Sequence, residues 1–87
     1  MNNETAKKAF GLMKRVEALM NVPEYGYAEI NGVKGVSLSD LLSVHAILDN
    51  LLLAGYNTLG VYGNERKIIE AEGIDIDELT FTGGLSW

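Results

Sequence analysis

Residues 36–55 read VSLSDLLSVHAILDNLLLAG, and this stretch decides the architecture. Ser37 can accept a hydrogen bond from the first turn of a helix. Asp40, three residues on, can reach back to the Ser37 amide, and Val36 can pack on Leu41 as a hydrophobic staple. Gly55 follows Leu51, Leu52, Leu53 and Ala54 and supplies the left-handed residue at which many helices stop. At about 100° per residue, Leu51, Val44, Leu48, Leu41, Leu52, His45, Leu38, Leu42 and Leu53 sweep more than half the helix circumference. A rod apolar over that width is expected at the centre of the molecule, covered on two sides by its own chain or by a second copy.

On the amino-terminal side, Thr5 to Met20 reads as a first helix. Ala6, Ala9, Phe10, Met13, Val16 and Met20 fall at three- and four-residue spacings, with Leu12 and Leu19 widening the stripe. Lys7, Lys8, Lys14 and Arg15 then form its wet face, and Pro23 ends it. Between the two helices, Tyr25 to Leu38 reads as a hairpin, because Asn31-Gly32 is the preferred pair for a type I′ turn. That register sets Ile30 opposite Val33, Glu29 opposite Lys34, Ala28 opposite Gly35 and Tyr27 opposite Val36. It gathers Tyr25, Tyr27, Val36 and Leu38 on a core-facing side.

On the carboxyl-terminal side, Thr58 to Tyr62 is expected to add a short strand beside the hairpin. Asn64 is placed to cap a short helix from Glu65 to about Glu72 that stops at Gly73. Beyond it Ile74 and Ile76 alternate, and the phase shifts at Leu79 and Phe81, which calls for a tight turn near Asp77 and Glu78. The fold expected is therefore α+β. Residues 1–87 form one compact domain, with a small antiparallel sheet (hairpin 25–38 plus a later strand) packed against two or three helices.

A chain of 87 residues supports a single modest core, since a domain of this size buries only about 60 to 65% of its unfolded surface. It has no cysteine, which excludes disulfides, a thiolate nucleophile and zinc-thiolate sites and fits a reducing cytoplasm. The amino terminus lacks the build of a secretory signal, and the longest apolar run is too short to span a membrane. Net charge is −5, unevenly spread. Residues 1–20 carry four cations against two carboxylates, and residues 65–87 carry six carboxylates against Arg66 and Lys67. Direct binding to duplex nucleic acid is disfavoured, because the phosphates need a larger basic stripe. A partner protein with a basic surface is the better match for the acidic end.

His45 lies on the apolar face of the central helix one turn before Asp49, a pair able to orient a catalytic base or ligate a metal. The rest of either constellation is missing, so His45 reads as a core or interface residue held by Asp49. Glu70, Glu72, Asp75, Asp77 and Glu78 lack the order of a calcium loop and read as an acidic edge or protein-binding patch. Tyr25, Tyr27, Tyr56, Tyr62 and Trp87 exceed what one small core can hide, and such side chains concentrate at binding hot spots.

The expectation is a non-catalytic, cofactor-free protein of the cytoplasm, and a homodimer, that binds another protein by surface occlusion. Small acidic chains of this character occur among the inhibitors that phages and mobile elements direct against host defence nucleases. Glu70, Glu72, Asp75, Asp77, Glu78, Tyr62 and Trp87 would meet the partner. The alternative is a small-ligand binder, a nucleotide sponge with a pocket at a dimer interface near His45, Asp49, Tyr25, Tyr27 and Tyr56. No metal site and no enzyme is expected.

Overall fold

A computed structural model describes residues 1–21 and 26–80. In chain order its elements are α1 (Asn3–Leu19), β1 (Ala28–Ile30), β2 (Val33–Val36), α2 (Leu38–Ala54), α3 (Gly63–Ala71) and α4 (Ile76–Leu79). The class is α+β, as expected. Tyr25, Trp87, the Pro23 stop and the Phe81 end of the tail lie outside the described residues.

α2 forms where its punctuation places it. Ser37 Oγ accepts from the Asp40 amide at 3.1 Å, and Asp40 Oδ2 accepts from the Ser37 amide at 3.1 Å. Gly55 ends the helix at φ +80°, its amide donating to the Leu51 carbonyl. Val36 and Leu41, the staple pair, are both buried in one core cluster. α1 starts slightly earlier than expected because Asn2 caps it, its Oδ1 accepting from the Thr5 amide at 2.8 Å. The two long helices run antiparallel. Leu52 of α2 shares a groove with Ala6 and Phe10 near the start of α1, whereas His45 meets Glu17 near its end.

The core is built from Ala9, Leu12 and Val16 of α1 and Leu41, Val44, Ile47, Leu48 and Leu51 of α2. The hairpin adds Ile30 and Val36, and the carboxyl-terminal half adds Val61, Ile68, Ile69, Ile74 and Ile76. Burial of these side chains, at roughly 1.5 to 3 kcal/mol each before the entropy of ordering them, is what joins the elements. Phe10, expected in this core, points outward instead. It stands about 100° around α1 from Ala9, beyond what α2 covers.

The hairpin turn is as read, with Asn31 at φ 53° and Gly32 at φ 78° and Ile30 opposite Val33. The register then slips, so that Val36, not Gly35, faces Ala28. Gly35, at φ 69°, is the extra residue of a β-bulge. The slip overturns the expected common face of Tyr27, Val36 and Leu38: Val36 is buried, while Tyr27 and Leu38 are exposed.

The sheet ends at these two strands among the described residues. Residues 58–62 do not join it as a later strand. The chain there is organised by Asn57, which forms an isolated parallel bridge with Thr80 and donates its amide to the Leu79 carbonyl.

α3 begins at Gly63 with no side-chain cap. Asn64, the expected cap, turns its amide to Asp40 Oδ2 at 3.1 Å and to the Gly35 carbonyl at 3.5 Å, fastening α3 to the start of α2 and to β2. Its far end is closed as read. Gly73 sits at φ 87°, its amide donates to Glu70 O, and the Ile74 amide donates to Ile69 O, the two bonds of a Schellman ending. The carbonyl end of α3 carries partial negative charge and has no basic residue of its own in the last turn. α1 supplies the cations: Lys8 Nζ donates to Gly73 O at 3.4 Å and Arg15 pairs with Glu72.

Candidate protein-docking face

α2 is apolar nearly all round, but the protein covers only one side of it. Leu38, Leu42 and Leu53 project to solvent at 52%, 54% and 81% exposure, with Ala46 and Asp49 beside them. On a helical projection these residues lie opposite Leu41, Val44, Ile47, Leu48 and Leu51, which face the core.

Two shallow grooves border the outward side. One, of about 470 Å³, lies against α1 and is lined by Asn3, Ala6, Lys7, Phe10, Gly11 and Leu52. The other, of about 300 Å³, includes Ser43, Ala46, Leu59, Tyr62 and Glu65. Phe10, Leu59 and Tyr62 are themselves exposed, so the apolar surface continues from α2 onto both borders. Exposed leucines scattered singly are ordinary, whereas larger apolar patches are found at interaction surfaces and binding grooves.

The polar rim of this face is ordered. His45 Nε2 lies 3.1 Å from Glu17 Oε1, and Lys14 Nζ is 3.6 Å from Glu17 Oε2 and 5.2 Å from the centre of the Phe10 ring. The Glu17 carboxyl is held below its ordinary value, first by the His45 hydrogen bond and then by the Lys14 charge. The expected partner of His45, Asp49, is not the one found. Asp49 lies one turn along the same exposed side and its carboxylate has no hydrogen bond or ion pair among the described residues, whereas Glu17 approaches the imidazole from α1.

The acidic residues of the carboxyl-terminal half are largely engaged within the chain. Arg66 pairs with Glu70 at 2.8 Å and with Asp77 at 2.6 Å, and both carboxylates raise the guanidinium's affinity for its proton. Glu72 takes Arg15 and also accepts from Asn31 Nδ2 at 3.0 Å, while Asp75 caps α4 by accepting from the Glu78 amide. Of the seven residues expected to meet a partner, Tyr62 is the one the structure places on the apolar face, at its second groove. Trp87 lies outside the described residues.

The described residues of the small-ligand alternative, Tyr27, His45, Asp49 and Tyr56, do not gather at one place within a single chain. Tyr27 stands beside the paired residue Ala28, near the start of α2, and Tyr56 follows its end. A helix of this length separates them by about 25 Å. Neither bordering groove is lined by Tyr27, His45, Asp49 or Tyr56. No group of three histidine or acidic side chains able to hold a metal occurs among the described residues, and no helix there is long and apolar enough to cross a membrane.

Phe10, Leu38, Leu42, Leu53 and Leu59 are the components that sequence reasoning did not assign to a working surface. The signal was an apolar arc on α2 wider than one layer of neighbours can cover. Compared with known protein families, with curated proteins and with solved structures, the chain finds no match, so the functional reading rests on its own residues.

Proposed function

We propose that the protein is a non-catalytic binding protein that acts by occupying another protein's surface, with the outward side of α2 as its contact face. The observation that carries this reading is the run of exposed leucines on a helix whose opposite side is fully buried, continued by Phe10, Leu59 and Tyr62. Large apolar side chains held rigid by a packed core are what binding hot spots are made of. Charge supports a basic partner: the chain carries −5 overall, and Glu4, Glu29, Asp49, Glu65, Asp75 and Glu78 have no cationic partner among the described residues. Complementary charge of this kind raises association rate and selectivity, while the leucines supply affinity.

Within that class we read the protein as an inhibitor of the kind phages and mobile elements direct against host defence nucleases, whose nucleic-acid channels present lysines and arginines. The test is capture of interacting proteins from the native host by wild type and by the Leu42→Ser, Leu53→Ser double variant, followed by nuclease assays on what is captured. Loss of roughly tenfold or more in capture, with the thermal midpoint nearly unchanged, is the expected result. Equal capture by both proteins would refute the face.

A further inference from the structure

On its outward side α2 carries a second register of residues. Leu38, Leu42, His45, Asp49 and Leu52 recur alternately four and three residues apart, the spacing of a coiled-coil seam. All five lie within about 40° of one line along the helix, and each is exposed or half-buried.

We infer that, when no partner is bound, this seam is covered by a second copy of the chain, the two α2 helices packing antiparallel about a two-fold axis beside residue 47. The inference rests on reading the outward side of α2 as a docking face, and it names what regulates access to that face. Charge selects the arrangement. In a parallel pair His45 would face His45 and Asp49 would face Asp49. In the antiparallel register one heptad away, Leu42 would face the partner's His45 and Leu38 the partner's Asp49, stranding the polar groups against leucine. In the register inferred, Leu42 meets the partner's Leu52, and His45 meets the partner's Asp49 twice by symmetry.

His45 is set up for that contact. Its Nε2 is engaged by Glu17, and its Nδ1 makes no hydrogen bond among the described residues. Asp49 places a carboxylate in the middle of an apolar row, with no ion pair among the described residues. Phe10, which shares a groove with Leu52, then borders the partner's Leu42. A seam about 20 Å long buries less than the roughly 800 Å² per partner of a standard stable interface. The pair is therefore weak and exchangeable, so a tighter partner can displace the second copy.

The groups facing His45 would be Glu17 with its neighbour Lys14 from α1 and the partner's Asp49 from α2.

The test uses the full chain, which has no cysteine of its own. Sedimentation from low micromolar to submillimolar concentration should show a reversible monomer–dimer equilibrium, weakened roughly tenfold or more by Asp49→Lys. Under mild oxidation the Leu42→Cys, Leu52→Cys double variant should form a covalent dimer at least about tenfold faster than Leu42→Cys alone, which only a parallel pair would link efficiently. If the double variant fails to fold, Asp49→Lys, at an exposed position, decides the question.

A wild-type chain that stays monomeric, or Asp49→Lys without effect, overturns the inference. If such a monomer still needs Leu42 and Leu53 for partner capture, only the self-pairing falls. A dimer whose partner capture ignores both leucines overturns the docking reading instead.

Discussion

Replacing Asn57 by alanine should be among the most damaging single changes outside the apolar core. Asn57 is fully buried. Its Nδ2 donates to the Leu59 carbonyl at 2.7 Å, and its Oδ1 accepts from the Leu59 amide at 3.1 Å and from Asn50 Nδ2 at 3.3 Å. Asn50 keeps a bond to Thr58 Oγ1 at 3.0 Å, so most of its loss is recovered. The two bonds to Leu59 are not replaced within the protein. At about 1 to 1.5 kcal/mol for each, the expected destabilisation is about 2 to 3 kcal/mol, a large share of the roughly 4 to 13 kcal/mol available to a domain this size. Urea unfolding followed by far-ultraviolet circular dichroism reads it as a midpoint lowered by about 2 to 3 M, given a slope near 1 kcal/mol/M. Asn57→Asp keeps the acceptor and loses the donor, placing a buried carboxylate against the Leu59 carbonyl. It should be worse than alanine at neutral pH and recover as the carboxylate is protonated. A shift under about 0.5 kcal/mol for Asn57→Ala would mean that the buried side-chain bonds to Leu59 add nothing net to stability.

Two other substitutions test the helix ends. The Asp40 carboxyl is opposed by burial, the largest single effect on it, but the Ser37 amide, the Asn64 amide and the Ser37 hydroxyl together hold it below its ordinary value. A carboxyl lowered in the folded state stabilises above its unfolded value and ceases to do so as pH falls through the folded one. Asp40→Ala should therefore cost about 1 kcal/mol at neutral pH, and its gap to wild type should narrow below about pH 4 in urea titrations at several pH values. Gly73→Ala forces a side chain into φ 87° and sets its Cβ 3.2 Å from Lys8 Nζ. Calorimetry should register a loss of about 1 to 2 kcal/mol, against a gain of about 0.5 to 1 for Gly11→Ala, an open site inside α1.

What could be read from the sequence was whatever is settled within one turn of chain. The Ser37–Asp40 box, the Gly55 and Gly73 stops and the Asn31-Gly32 turn are each decided by residues at most five apart, and each stands as read. Direction was not legible. On a helix apolar nearly all round, nothing local distinguishes Ile47, which is buried, from Leu42 or Leu53, which are not. Choices made by distant partners were equally hidden. Asn64 prefers Asp40 and Gly35 to its own helix, and His45 takes Glu17 across 28 residues rather than Asp49 four away. The bulge at Gly35 is one residue of slip, yet it turns Tyr27 from an expected core residue into surface. The outward leucines carry no local mark of their exposure, because an apolar face left in solvent has the same composition as one packed in a core.

The side chain of Asn31 reaches further than a turn residue needs to. It accepts from Arg15 at 2.8 Å and donates to the Ile68 carbonyl and to Glu72 at 3.0 Å each, so one amide at the hairpin tip is shared by α1 and α3. Neither a two-stranded ribbon of this length nor a nine-residue helix persists alone in water. Each therefore leans on the other as well as on the long helices, and residues 28–36 and 63–73 are expected to open together in native-state hydrogen exchange. A loosening at the tip of the ribbon would be felt first at the far end of α3, some forty residues away along the chain.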